Sequence, residues 1–398
     1  MLAKASLVLA FLVGLALANS WAGVNSYFIH TLEDNDRRRH LDAIRDAGLK
    51  VLRVFVVSVG RGSKGSSSRG VNDIEAYNVG KYDDTVLNQI NVLMKECYDR
   101  GIKLNIALHD RYSLGCWARD AYVGKYGLRD VSPKCSHDNQ PSKFYFDSNA
   151  QADYDRRIAH IVNYRNPIFN NRRWGEINEA ILSFNIENEN QGHVDNKNLN
   201  WQCGRAKAIR QYLSNGVLIS TGGGAEFWDS LPDQYFQCKE IDIVTLHSYD
   251  TNAGNVRNNI KSALDKARRY GKRVIYEEFG VQGNDNTKVN GMRPLIDVAN
   301  ELGVPFMPWE ILNPANDKDF EFGTSGQTYE MVKQKSYYAQ SLSGAFNWAE
   351  IKTGGGGKKK DWDPCQHSSE CEHNCCSEKY SQGQGLKCHP SGSTTECV

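Results

Sequence analysis

Short apolar runs alternate with amphipathic stretches along most of this 398-residue chain, and that alternation restricts what it can fold into. Residues 22–28, 51–57, 103–109, 181–188, 217–221, 243–247, 274–278 and 305–309 read as strands rich in Val, Ile, Leu and Phe. Between them, residues 36–47, 86–100, 149–163, 204–213, 256–270, 292–302 and 328–341 repeat apolar side chains at helical spacing. Strands apolar on both faces belong in a parallel sheet covered by helices. Eight strands alternating with helices predict a (β/α)8 TIM barrel. An open doubly wound sheet would alternate too, but strand after strand here ends in a polar residue: Arg53, His109, Asn188-Glu189, His247, Glu278, Trp309. In a barrel those ends converge on one face, where chemistry sits.

The two ends of the chain read differently. Lys4 followed by the apolar run 7–17, with Ala16-Leu17-Ala18 as a cleavage site, predicts a signal peptide over 1–18 and a secreted, extracellular protein. No other long apolar run suggests a membrane span, and a net charge of +1 argues against a nucleic-acid partner. The barrel is expected over 19–352. Residues 353–361, rich in Gly and Lys, read as a linker, and 362–398 as a small C-terminal disulfide-rich module. Six of the 11 cysteines fall in that module, which could bind a wall polymer or a protein, or act as a spacer. Among the other five, Cys116 with Cys135 and Cys203 with Cys238 are the candidate pairs, leaving Cys97 unpaired on a helix.

Two strands end in carboxylates. Arg273-Val-Ile-Tyr-Glu-Glu-Phe-Gly280 closes on Glu277 and Glu278, which alternation should point in opposite directions, one to the mouth and one to the shell. Ile181-Leu-Ser-Phe-Asn-Ile-Glu-Asn-Glu189 closes on Glu187 and Glu189, two apart and so expected on one face. Two carboxyls delivered to one mouth from different strands suit glycosidic cleavage: one protonates the leaving oxygen, and the other attacks the anomeric carbon or activates water.

With Asn188-Glu189, His247-Ser-Tyr249, Glu278-Phe-Gly280 and Trp309 in this order, and Arg53 and His109 on earlier strands, the chain resembles glycoside hydrolase family 5 of clan A. The stretches GVNSYF, GLKVLRVF and FYFDSNAQADYDRRI resemble secreted fungal endo-β-1,4-mannanases within that family. The resemblance implies Glu189 as acid/base and Glu278 as nucleophile of a retaining reaction. It also implies Arg53 and Tyr249 holding the nucleophile, Asn188 on the sugar 2-hydroxyl, His247 supporting the acid/base and Trp309 as sugar platform. Retention predicts carboxyl groups about 5–5.5 Å apart. His109, Tyr27, Trp117 and Trp228 are further substrate-binding candidates, His109 with Asp110 being alternatively a loop anchor. Tyr112, Tyr122 and Trp201 lie in loops at the expected mouth. Glu277 is expected to pair with the helix shell and Glu310 to point away from Trp309, while Glu187 could be a supporting partner or a subsite residue. Gly222-Gly223-Gly224 lacks the Lys-Ser/Thr of a phosphate loop and reads as a tight turn. Neither a metal nor a cofactor is required. The expected substrate is a β-linked polysaccharide: mannan first, β-1,4- or β-1,3-glucan second. A secreted binding protein or effector on an inactive barrel is the reading from another class.

Overall fold

The computed structural model describes residues 19–351, 376–377 and 387–388. The chain divides into two compact units, Met1–Ile351 and Lys352–Val398. In the second, Cys376–Ser377 pairs antiparallel with Lys387–Cys388. The signal peptide, the linker and the disulfides of the tail fall outside the described residues.

In the first unit, strands β1 (Gly23–Asn25), β2 (Val51–Phe55), β3 (Lys103–Ala107), β4 (Ile181–Asn185), β5 (Leu218–Ser220), β6 (Ile243–His247) and β7 (Arg273–Glu278) form one parallel sheet in chain order. The expected eighth strand is present only as parallel bridges, Phe306 to Ala22 on one side and to Tyr276 on the other. It still closes the circle. Gly23 N–H donates to Phe306 O (2.9 Å) and Tyr276 N–H to Pro305 O (2.9 Å), so a proline-flanked segment bonds both edge strands. The sheet is a nearly closed (β/α)8 TIM barrel.

Helices α1 (Asp34–Asp46), α2 (Thr85–Tyr98), α3 (Ser148–Val162), α4 (Trp201–Arg210), α5 (Ala253–Tyr270), α6 (Asp285–Glu301) and α7 (Gln327–Ser341) follow the strands, bury one face each and form the shell. Caps place their starts: Asp147 accepts from the N–H groups of Asn149 and Ala150, and Asn252 from those of Gly254 and Asn255. The loop between β3 and α3 carries two short α-helices, Ala121–Tyr126 and Ser142–Phe146. Disulfides join Cys116 to Cys135 and Cys203 to Cys238, and Cys97 is free and buried. Tyr122 and Trp201, candidates for the mouth, are instead buried packing residues.

Two apolar clusters fill the unit. The larger lies between sheet and helices; the smaller, around Trp21, Val51, Ile243, Ile275, Met307 and Trp348, plugs the barrel. Alternation continues upward from that plug. Two residues beyond Val51 comes Arg53, beyond Ile243 comes Thr245, and beyond Ile275 comes Glu277. The next layer of the interior is therefore polar and fully buried: Arg53, Asn105, Asn185, Thr245 and Glu277.

Candidate active site

This polar layer corrects the expectation for Glu277. The side chain shares the inward phase of Ile275 and enters the barrel, not the helix shell. Asn105 Nδ2 (2.7 Å) and Asn185 Nδ2 (3.1 Å) donate to its Oε1. Its neighbour Glu278 nevertheless reaches the mouth as well. The register between β6 and β7 slips there: Leu246 pairs with Tyr276, and His247 with Glu278. One strand thus holds an extra residue, and such a bulge re-aims a side chain. Both adjacent carboxylates end beside the same cation, with Arg53 Nε 3.5 Å from Glu277 and Nη1 2.8 Å from Glu278.

Arg53 organises the floor. Beyond Glu278 it donates from Nη2 to Asn188 Oδ1 (2.7 Å) and Asn185 Oδ1 (2.8 Å), and from Nη1 to Asn25 Oδ1 (3.2 Å). A planar fork spreads one fixed charge over four groups from β1, β4, the turn after β4 and β7. Tyr249 Oη donates to the other oxygen of Glu278, Oε1, at 2.9 Å.

Glu189 comes from a turn. β4 ends at Asn185, so strand alternation no longer governs residues 187–189, and Glu187 and Glu189 do not share a face. Glu189 has a backbone φ of +43°, left-handed and strained for a side chain of this kind. Its N–H donates to Gly222 O (2.9 Å), which holds the turn against the start of the glycine run. The carboxylate accepts from Tyr112 Oη and lies 3.2 Å from His247 Nδ1. One oxygen each of Glu189 and Glu278, and one nitrogen of His247, lie within 4.8 Å of one another. A cation could in principle use these three, but the Arg53 guanidinium on Glu278 opposes one.

The remaining candidates are distributed unevenly. Asn188 bridges Arg53 and Asp110, donating from Nδ2 to Asp110 Oδ1 (3.0 Å). Trp309 is half-buried, edge-on to Tyr27 and Phe55, and Tyr27 Oη donates to Asp110 Oδ2 (3.1 Å). Trp117 is exposed and stacks on Tyr112, centroids 4.2 Å apart, which extends an aromatic surface outward from Glu189. Trp228 stands exposed after β5, edge-on to Phe227. His109 is not placed to touch a substrate: it is fully buried, with Nδ1 2.8 Å from Glu187 and Nε2 2.8 Å from Asp120. The reason is again the early strand end: β3 stops at Ala107, and beyond it His109 is held by Glu187 and Asp120 while Asp110 reaches Asn188 and Tyr27. Glu187 is its partner and also accepts from Tyr145 Oη (2.9 Å). Glu310 accepts from the N–H of Tyr27 (2.7 Å) and from Lys64 Nζ (3.0 Å), and Lys64 Nζ in turn lies 5.9 Å from the Trp309 ring centroid.

Charges in the site are coupled. Burial pushes Glu278 up, Glu189's charge adds to this, and His247, Arg53 and Tyr249 counter it without cancelling it. Burial also acts upward on Glu189, but the His247 and Tyr112 contacts outweigh it and hold this carboxyl below its usual range. His247 rises to about 9: burial opposes its charge, and the carboxylates around it prevail. This order is the reverse of what an acid and a nucleophile need at the start of a reaction, and His247 links the two orders.

Residues 14–351 match the profile of "GH family 5 beta-mannosidase-like" proteins. The chain belongs to glycoside hydrolase family 5. Solved structures share the barrel fold. The endo-1,4-beta-mannanase of Rhizomucor miehei superposes with a TM-score of 0.65 at 17% identity, covering 81% of this chain and 94% of that one. The endo-beta-1,4-mannanase of Thermotoga petrophila gives 0.62 at 18%, covering 82% and 77%. An endoglucanase, Cel5A of Pseudomonas stutzeri, gives 0.53 at 12%, covering 80% and 96%. No curated protein sequence matches. As a family 5 member the chain is a glycoside hydrolase.

Sequence reasoning left two members of the site unassigned. Tyr112 was only one of several mouth aromatics, and nothing local to it signals a contact 77 residues away. Glu277 carried a signal: its two-residue spacing from Ile275 on a barrel strand puts it inside.

Proposed function

We propose that this family 5 enzyme is a secreted endo-β-1,4-mannanase that cleaves with retention. The reading is carried by the pair Glu189 and Glu278, of which one oxygen each lie within 4.8 Å of one another at one barrel mouth, a closeness that suits the short carboxyl separation of double displacement. Glu278 attacks the anomeric carbon. Arg53 and Tyr249 each donate to one of its oxygens, which orients it and favours the ionised form. Glu189 protonates the leaving oxygen, then deprotonates the incoming water. Asn188 keeps one amide hydrogen beyond its bond to Asp110 and offers it to the sugar 2-hydroxyl. Trp309 and Tyr27 form the platform under the sugar being cleaved, and Trp117 and Trp228 supply stacking faces farther out.

Mannan is favoured because the matching profile is mannosidase-like and the superposed enzymes of Rhizomucor miehei and Thermotoga petrophila are mannanases. Secretion is supported by the apolar leader and by two disulfides, which persist in oxidising compartments. Among the described residues no helix is long and apolar enough to cross a membrane. Reducing-sugar release from mannan, glucomannan, cellulose, xylan and laminarin tests the assignment. Mannan and glucomannan are expected to be cleaved fastest. Preferential cleavage of cellulose or laminarin would move the enzyme to the glucanases, and no release from any of them would overturn the reading.

A further inference from the structure

Glu277 has no task in the reading above, yet it is among the most enclosed groups of the site. The ring of His247 lies between three carboxylates. Its Nε2 is 3.1 Å from Glu277 Oε2, and its Nδ1 is 3.2 Å from Glu189 Oε1 and 3.4 Å from Glu278 Oε2. The ring cannot tilt away. A Cβ on Gly223, the residue against its face, would come 2.2 Å from Cδ2, and φ at Gly223 is +68°. The glycine run after β5 thus serves a close backbone approach to His247 as well as a turn.

Facing groups fix the protonation of this ring. Ionised carboxylates only accept hydrogen bonds, and a neutral imidazole donates only one. With acceptors at both nitrogens, a neutral ring would set a lone pair against a carboxylate, whereas the imidazolium satisfies both ends. Glu189, meanwhile, must enter the first chemical step protonated, although its neighbours Tyr112 and His247 both donate to its ionised form. The proton required is on the next atom.

We propose that Glu277, His247 and Glu189 form a proton relay, in which His247 stores the proton that Glu189 delivers and Glu277 positions the ring for the transfer. This rests on the assignment of Glu189 as acid/base. The Nδ1 proton passes to Glu189 Oε1, leaving a neutral ring that still donates from Nε2 to Glu277. Glu189 gives that proton to the glycosidic oxygen as its bond to C1 breaks and the Glu278–C1 bond forms. Water then attacks C1 and displaces Glu278, losing a proton to Glu189, which returns it to Nδ1. One water is consumed per bond cleaved, and no net proton is taken up. The groups facing the ring are Glu189 from the turn after β4, Glu277 and Glu278 from β7, Arg53 from β2 and the Gly223 backbone; Ser230 Oγ meets the backbone N–H of His247 (3.4 Å). Glu277 and His247 are positioning residues here, and the resting order of charge described above is the stored state of the relay.

Nitrogen-15 NMR of the His247 ring in the full-length enzyme reads the stored proton directly. Both nitrogens are expected to be protonated at neutral pH, with titration near 9; a neutral ring at pH 7 would overturn the relay. In Glu277→Gln, loss of the charge at Nε2 should lower that titration by about one to three pH units, the usual effect of one adjacent charge. The alkaline limb of kcat/KM on unactivated oligosaccharide should move down with it. A 2,4-dinitrophenyl glycoside needs no acid for its departure, so its kcat/KM should fall much less than that of the oligosaccharide. Equal losses on both substrates with an unmoved limb would show Glu277 to be merely structural. The spectrum needs no turnover, so inactivity on every β-glycan with a doubly protonated His247 would count against the substrate assignment and not against the stored proton.

Discussion

Tyr112 donates its hydroxyl hydrogen to Glu189 while the face of its ring lies parallel to Trp117, the planes 18° apart. One side chain therefore touches both the carboxylate and an exposed stacking surface. Removing the hydroxyl in Tyr112→Phe withdraws a donor that favours ionised Glu189. A hydrogen bond to a charged group contributes about 1.5–3 kcal/mol, and one pH unit corresponds to about 1.4 kcal/mol. Glu189's proton affinity should rise, moving the acid limb of kcat upward by about one to two pH units for an aryl glycoside limited by deglycosylation. An acid limb at the wild-type position would show that the contact does not tune Glu189.

The two carboxylates separate by product stereochemistry. In Glu278→Ala the attacker is gone, and azide entering the gap should give the inverted α-glycosyl azide from an activated β-glycoside. In Glu189→Ala the covalent intermediate still forms from that substrate, and azide replacing water should give the retained β-azide. Each variant should lose at least ~10²-fold on polymer, the scale of general acid–base catalysis. NMR of the azides decides; the opposite pairing would exchange the two roles.

Arg157 is fully buried and held bidentately by Asp73, at 2.7 and 2.8 Å, with Glu75 at 3.4 Å. Asp73→Ala leaves a buried cation with two backbone carbonyls, Val56 O (2.8 Å) and Leu108 O (3.1 Å), and only one distant carboxylate; breaking a buried pair typically costs about 3–5 kcal/mol. Urea unfolding should register that loss. A variant within 1 kcal/mol of wild type, roughly the level of a surface ion pair, would mean that Glu75 suffices.

Removing residues 353–398 should leave kcat/KM on soluble manno-oligosaccharides at the wild-type value, since a Gly/Lys linker transmits no fixed geometry. Binding to insoluble mannan, measured by sedimentation, reports any wall affinity of the tail. A loss on soluble substrate would show that the catalytic unit depends on the tail.

The barrel could be read from the sequence because apolar strands and helical stretches have distinct periods, and because Arg53, His247 and Glu278 sit at or near strand ends. Glu277 could not be placed by alternation applied to the pair alone. It needed the inward phase of Ile275 below and the slip opposite His247, and the slip is a property of two strands together. His109 stayed open between substrate contact and loop anchor, and Glu187 between supporting partner and subsite residue, for a related reason. Both lie just beyond strands that end at Ala107 and Asn185, and past that point the backbone turns. The eighth strand was visible in 305–309, but Pro305 and Pro308 lack N–H groups, so it survives as bridges and not as a ladder.

Closure at Phe306 also imposes a timetable on synthesis. Ala22 waits for a partner about 280 residues downstream, which at ribosomal speeds is on the order of 15–60 s. For that interval Gly23–Asn25 is a sheet edge with unpaired backbone groups of the kind that recruit other chains, joined near its end by Arg273–Glu278. Every proposed participant in catalysis except Trp309 has been made by then. The tryptophan platform emerges with the segment that latches the barrel, so a nascent chain that can bind its sugar is also one that has already lost its exposed edges.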